Sequence, residues 1–423
     1  MDKILVNNNG PLHGEVRIST AKNAVLPILA ATLLTEDTCT IEEVPNLADV
    51  DVMKEMLRNY GAYVNDDLTN VINVKTPEIT SCEADKEVVA KMRASVFTMG
   101  PILARCGKVI MPIPGGCAIG KRPIDLHLKG FRALGANVTE DEEKEIVTVE
   151  AGPEGLKGDL IYLDFPSVGA TENILMAATL AKGTTIIENA AREPEIVDLA
   201  SMLNKMGANI KNAGTDIIKI EGVESLTGCF HQAIPDRIET GTFMLAAAIT
   251  RGDIHIKNAI PSHVRAITAK LKECNVDVNT TPEGIYVDAR NRILNSTNIK
   301  TLPFPGFPTD IQSPFMAFLS TAEGKSIVKE TVFENRFMHV IELNRMGADI
   351  FAEGRKAYVP GGKHLYGAEV RATDLRAGAA MVLAGLTASG TTSITDIHHI
   401  ERGYEDFVQK LKGLGADIMK INV

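Results

Sequence analysis

The sequence predicts an α/β fold of two domains, each closed from three βαβαββ repeats. Three observations lead there. The pattern Leu/Phe-x-x-apolar-Gly-Ala-x-Val/Ile recurs along the whole chain, with its turn residue at Gly61, Gly135, Gly207, Asn275, Gly347 and Gly415. Upstream of each mark lies an apolar stretch rich in small residues, at 26–34, 96–107, 174–183, 243–252, 315–324 and 377–390. The 423 residues are 45% apolar. Three repeats amount to about 210 residues, near the ceiling for a single hydrophobic core, so six repeats need two.

Each repeat has the same internal order. Strings such as Ala178-Thr179-Leu180-Ala181 and Leu245-Ala246-Ala247-Ala248 predict a buried helix packed so closely that only small side chains fit. A β-branched strand follows, as at 184–187, 253–256, 325–328 and 391–394. An amphipathic helix then runs to the Gly-Ala mark, where a residue in the left-handed conformation ends it. Asn shares that conformation with Gly, so Asn275-Val276 fits the fourth copy. More strand completes the repeat. Units of about 71 residues exceed the roughly 20–50 of tandem solenoids and favour closed, symmetric groups. The junction between halves is expected near residues 222–236, and a cleft between them is the natural place for a ligand.

Composition narrows the function. Lys plus Arg number 44 against 54 Asp plus Glu, a net charge of −10, which argues against general nucleic-acid affinity. A local group of Arg can still override that sign for a small anion. The six cysteines show no CxxC pairing, and the nine histidines show neither HExxH nor paired spacing, so no metal site and no disulfide framework is expected. The first seven residues lack a signal-peptide profile, and no apolar run reaches the ~18 residues of a membrane span. A soluble cytoplasmic chain, independent of membranes and nucleic acid, is the expectation.

Polar residues also fall in register. Arg93, Asp310 and Arg376 lie at one repeat position, counted back from the Gly that closes each buried helix, and Lys22-Asn23 occupies nearly the same place in the first repeat. A carboxylate there is an ordinary helix-start residue. A cation is not, because the helix N-terminus is already positive unless an anion lies between them. Arg336 and Arg402 stand at matching places in repeats five and six, in polar strings without a packing pattern. Arg suits bidentate capture of carboxylate and phosphate. Any one of these Arg could make only a surface ion pair; the set suggests a strongly negative ligand.

The segment Pro112-Ile113-Pro114-Gly115-Gly116-Cys117-Ala118-Ile119-Gly120-Lys121-Arg122-Pro123 displays one thiol beside two cations, which would favour thiolate chemistry or proton donation. It nearly matches a Walker A loop, but Arg122 replaces the Mg²⁺-holding Ser/Thr, and an NTPase reading is set aside. Cys39, Cys106 and Cys274 read as buried small hydrophobes. Asp125 and His127 follow the loop and could orient a substrate, although His127 could equally be packed in the core. His398-His399 reads as a loop beside Arg402.

Taken together, Lys22-Asn23, Pro114 through His127 with Cys117, Ser167-Val168-Gly169-Ala170-Thr171, Phe307 through Asp310, Phe333-Glu334-Asn335-Arg336, Ala372 through Arg376 and Arg402-Gly403-Tyr404 resemble the bacterial UDP-N-acetylglucosamine 1-carboxyvinyltransferases, a family of the EPSP synthase superfamily. The likeness runs end to end. It implies a two-domain inside-out α/β barrel, with residues 22–232 forming the first three-repeat domain and residues 1–21 with 233–423 the second, the active site lying in the cleft between them. It also implies transfer of enolpyruvate from phosphoenolpyruvate to the 3′-hydroxyl of UDP-N-acetylglucosamine with release of phosphate, the first committed step of peptidoglycan synthesis, without metal or cofactor. Cys117 is then the general acid and covalent carrier, Asp310 the base, and Lys22 and Arg402 further catalytic groups. Phosphoenolpyruvate falls to Lys22, Asn23, Cys117, Arg122, Arg336, Arg376 and Arg402. The sugar nucleotide falls to Asn23, Arg93, Arg122, Pro123, Ile124, Asp125, Leu126, Phe165, Ser167, Val168, Asp310 and Val332. Sensitivity to the epoxide fosfomycin follows from Cys at 117, and a monomer is expected.

Two other readings share some of these residues. The shikimate-pathway enolpyruvyl transferase has the same architecture and donor but would be expected to lack the Cys loop. A non-catalytic sugar-nucleotide sensor would not need Cys117, Asp310 and the full set of cations.

Overall fold

The computed structural model describes residues 2–113 and 124–422. The chain divides into two compact units, one of residues 20–113 and 124–234, the other of residues 2–19 and 235–422. Each is mixed α/β and holds three copies of one motif.

In the unit of residues 20–234, the buried helices are Lys22–Ala31, Met99–Cys106 preceded by the 3₁₀ turn Arg93–Thr98, and Val168–Ala178. Around them lie three sheets with one plan. A central strand (Thr38–Glu42, Lys108–Pro112, Thr184–Glu188) pairs antiparallel with the outgoing strand of its own repeat and parallel with an edge segment. For the first sheet that edge is Phe230–Gln232, so the last strand of the unit closes on the first repeat. For the second it shrinks to a single bridge at Glu83. Residues alternate between buried and exposed along strands such as Val71–Lys75 and Ile146–Ala151, giving each sheet one face for the core and one for solvent.

The other unit repeats this plan around helices Arg237–Ile249, Gln312–Thr321 and Leu375–Gly385, which pack on one another and are buried along almost their whole length. Helices inside and sheets outside is the inside-out arrangement; small residues make it possible. An added Cβ at Gly241 would come within 2.7 Å of Ile267 and 2.9 Å of Ile311. The sixth sheet departs from the plan. Its second strand is Asp2–Asn7, which lies antiparallel between Thr392–Thr395 and Asp417–Asn422, and His13–Arg17 supplies the parallel edge of the fourth sheet.

The helix-ending marks behave as the sequence predicts. Gly61, Gly135, Gly207, Gly347 and Gly415 have φ between 85° and 105°, and Asn275 has φ 66°. One of the buried-helix ends differs: Arg251, not Gly252, takes the left-handed conformation, because Gly252 is needed for a close approach, its virtual Cβ falling 2.0 Å from the Leu12 carbonyl oxygen. Buried helices also begin earlier than their apolar runs, so that Lys22, Asn173 and Arg376 already lie within helix.

Candidate active site

In the unit of residues 2–19 and 235–422, three predicted residues meet. Asp310 sits in the 3₁₀ turn Thr309–Ile311 that leads into helix Gln312–Thr321. Its Oδ1 accepts from Arg336 Nη2 at 3.0 Å, and its Oδ2 accepts from Arg376 Nε and Nη2 at 3.2 and 3.1 Å. The Arg side chains are 3% and 4% exposed, whereas that of Asp310 is 26% exposed, so the carboxylate stands between two buried guanidinium groups and solvent. Arg376 comes from the start of helix Leu375–Gly385, whose N-terminus Asp374 caps by accepting from the Arg376 and Ala377 N–H groups at 2.9 and 3.1 Å. The cation at a helix N-terminus is thus offset by two carboxylates.

Aromatic faces hold the guanidinium planes. Arg376 lies over the Tyr404 ring at 5.2 Å and Arg336 over Phe333 at 5.6 Å. The Tyr404 hydroxyl and Thr242 Oγ1 are 2.9 Å apart. Burial alone would lower the pKa of Arg376, but Tyr404, Asp310 and Asp236 outweigh it and hold the group charged. Among the described residues its buried Nη1 has no hydrogen-bond partner. A buried unpaired donor costs about 1–3 kcal/mol, so a further acceptor is its natural complement.

The unit of residues 20–234 holds two further groups of predicted residues. Lys22 opens helix Lys22–Ala31 and pairs with Asp49 at 3.1 Å, both side chains largely buried; half-buried Asn23 follows it. Arg93 opens its 3₁₀ turn, and its charge acts on His127. His127 is buried, shares a hydrogen bond of 2.9 Å with Asn173, and lies so close to Gly169 that a Cβ there would be 3.2 Å from its ring. Burial first, then Arg93, pushes its pKa down to about 3, so the ring is neutral and structural. Ser167 caps helix Val168–Ala178, its Oγ accepting from the Ala170 N–H at 3.3 Å, with Phe165 exposed just before it. Arg93 and the 167–169 helix start therefore converge on one imidazole.

The remaining predicted residues stand as follows. Ile124 is buried, Leu126 half-buried and Asp125 exposed at the start of helix Asp125–Ala133. Val332 donates its N–H to Glu330 Oε1 at 2.7 Å, and half-buried Arg402 ends helix His398–Glu401, which replaces the expected loop. Cys117, Arg122 and Pro123 lie outside the described residues. Cys106 is partly rather than fully buried. Asp49 and Thr242 escaped the sequence reading: an acid in a helix's first turn, or a Thr within an apolar helix, carries no signal of its own. Among the described residues no group of three or more His, Cys, Asp or Glu could hold a metal, and no helix is long and apolar enough to cross a membrane. A recess of about 590 Å³ bounded by His13, Arg251, Arg290 and Arg292 competes poorly for an anion, since Asp288 and Asp277 already pair with Arg290 and Arg292.

The pattern of the family EPSP synthase (3-phosphoshikimate 1-carboxyvinyltransferase) matches residues 6–411. UDP-N-acetylglucosamine 1-carboxyvinyltransferase 1 of Caldanaerobacter subterraneus subsp. tengcongensis is 56% identical over 418 residues, covering 99% of both chains. The like-named protein of Finegoldia magna is 53% identical over 426 residues and covers both chains fully. Among solved structures, the enolpyruvyl transferase NikO from Streptomyces tendae superposes with a TM-score of 0.88 at 25% identity, covering 100% of this chain and 99% of that one. EPSP synthase from Acinetobacter baumannii, at 18% identity, TM-score 0.77 and full coverage of both chains, shares the fold. The chain belongs to the EPSP synthase family and, within it, to the UDP-N-acetylglucosamine 1-carboxyvinyltransferases.

Proposed function

We propose that the chain transfers enolpyruvate from phosphoenolpyruvate to the 3′-hydroxyl of UDP-N-acetylglucosamine and releases phosphate, in the cytoplasm, as a step of peptidoglycan synthesis. The observation that carries the site assignment is the pair of buried guanidinium groups that both bind Asp310.

The donor brings a phosphate and a carboxylate on three carbons, and Arg336 and Arg376 suit both. As these anions take over the guanidinium donors, Asp310 is relieved of its two ion pairs and becomes able to accept the proton of the attacking sugar hydroxyl. Cys117 delivers a proton to the methylene carbon, or holds the pyruvyl unit covalently, while Lys22, Arg122 and Arg402 neutralise the phosphate. The helix start at 167–169, with Arg93, suits the diphosphate of the nucleotide. Asn23, Pro123, Ile124, Asp125, Leu126, Phe165 and Val332 would complete its contacts. Residues of both units are then required for turnover.

Phosphate release tests this directly. Release is expected only when phosphoenolpyruvate and UDP-N-acetylglucosamine are both present; release with shikimate 3-phosphate in place of the sugar nucleotide would favour the shikimate-type reading, and none with either acceptor a binding protein. Cys117→Asp is expected to retain turnover and to escape fosfomycin inactivation. Equal inactivation of wild type and variant would remove Cys117 from the mechanism.

A further inference from the structure

We propose that Cys39 and Cys229 form a peroxide-reactive dithiol that closes to a disulfide across the seam where the last strand of the 20–234 unit meets its first. The seam is the parallel pairing of Phe230–Gln232 with Thr40-Ile41-Glu42, in which Phe230 stands opposite Thr40. One residue earlier on each side brings Cys229 opposite Cys39, and the Thr40 N–H donates to the Cys229 carbonyl at 2.8 Å. In-register neighbours on adjacent strands share a sheet face, with backbones about 5 Å apart, inside the span that a disulfide bridges. The two thiols are close enough to shift each other's ionisation.

Their surroundings differ as the two halves of such a pair should. Cys39 is fully buried, whereas Cys229 is partly exposed. The neighbouring Cys39 thiol holds the Cys229 thiol below its ordinary pKa, against burial and with help from the Lys205 ammonium. Cys274, buried without a thiol partner among the described residues, is instead pushed up to about 12 by desolvation. Thiolate character and access decide which sulfur meets an oxidant first.

The chemistry balances with one molecule of hydrogen peroxide. Cys229 sulfur attacks a peroxide oxygen, the O–O bond breaks, and one water leaves as the sulfenic acid forms. Cys39 sulfur then attacks the Cys229 sulfur, the S–O bond breaks, and a second water carries off the remaining thiol hydrogen. Two thiols are oxidised by two electrons and one peroxide is reduced to two waters. The product would staple the closing strand to the first repeat, covalently joining the two ends of this unit's chain.

Full-length protein treated with hydrogen peroxide, alkylated and digested without reductant would be mapped by mass spectrometry. The expected result is a linked peptide pair containing Cys39 and Cys229, lighter by two hydrogens than the separate peptides and released by dithiothreitol. Cys39→Ala should leave Cys229 as a sulfenic acid that dimedone captures, and Cys229→Ser should leave Cys39 alkylated. If Cys39 and Cys229 are both recovered as free thiols under treatment that oxidises Cys117, or if only the other contacting pair, Cys82 and Cys106, becomes linked, the proposal fails.

Discussion

Asp310 neutralises one of the two charges that Arg336 and Arg376 bury beside it, and the consequences of removing it are calculable. Asp310→Asn deprives both guanidinium groups of their bridging carboxylate, at a cost of about 3 kcal/mol. If the carboxylate is also the base, kcat falls by about 10²–10⁴. Differential scanning calorimetry should then show a lowered Tm that phosphoenolpyruvate partly restores, because its anions replace the lost one, while turnover stays low. Arg376→Lys keeps the charge but loses the two-donor fork over Tyr404, and a loss of roughly 10² in kcat/KM for phosphoenolpyruvate is expected from steady-state kinetics. A second residue-scale effect belongs to histidine. Burial pushes His127 down to about 3 and His339 to about 4. Both are neutral when folded and protonate near pH 6.5 when unfolded, so their contribution is present above that pH and is lost as pH falls toward 4. The slope is about 1.4 kcal/mol per pH unit for each. Denaturant unfolding between pH 6.5 and 4 should show His127→Gln reducing the slope by about one proton; an unchanged slope would place the titration elsewhere. Arg376 was legible in the sequence because a cation at an apolar helix start is locally unfavourable, Asp310 because it shares that repeat position, and Arg336 because it stands in a polar string without a packing pattern. Asp49 was not legible, since nothing local distinguishes an acid that meets a lysine from one that only favours its own helix.

At the scale of elements, the repeat marks were readable because each fixes a backbone conformation rather than a contact. Gly415 has φ 94° and nothing within 4 Å of a virtual Cβ, so Gly415→Ala isolates that conformational term. A loss of about 1–2 kcal/mol is expected, or roughly 2–8 °C in Tm for a unit of this size. Asn275→Gly should cost nothing by the same argument, and a destabilisation above about 1 kcal/mol would mean the Asn side chain is needed, for example for its 3.0 Å bond to the Ile293 carbonyl. Helix starts were harder to place. Periodicity reports only the apolar part of a helix, and the first turns here carry Lys22, Arg93, Asp310 and Arg376, which break it. Those turns are the ones we propose to meet substrate.

For the whole molecule, the even recurrence of one mark was enough to find the modules and their grouping in threes, because each module must hide the same helix face. It could not show that the sixth sheet takes its second strand from Asp2–Asn7, since a strand borrowed across the chain leaves no periodic trace. That strand is structural rather than ornamental: Ile4 and Val6 are 2% and 0% exposed. Deleting residues 2–7 removes the middle of a sheet and is expected to unfold the 235–422 unit while the 20–234 unit keeps its own calorimetric transition. A single cooperative loss of both would show that neither stands alone.

The same borrowed strand sets an order on synthesis. At roughly 5–20 residues per second, the first strand made would wait about 20–80 s for the partner it pairs with at 417–422, long after residues 20–234 had been able to complete their sheets. Throughout that interval a short apolar edge trails from a finished neighbour, and nascent chains halted before residue 390 should be held by ribosome-associated chaperones far more than chains halted at residue 234 with residues 1–19 removed.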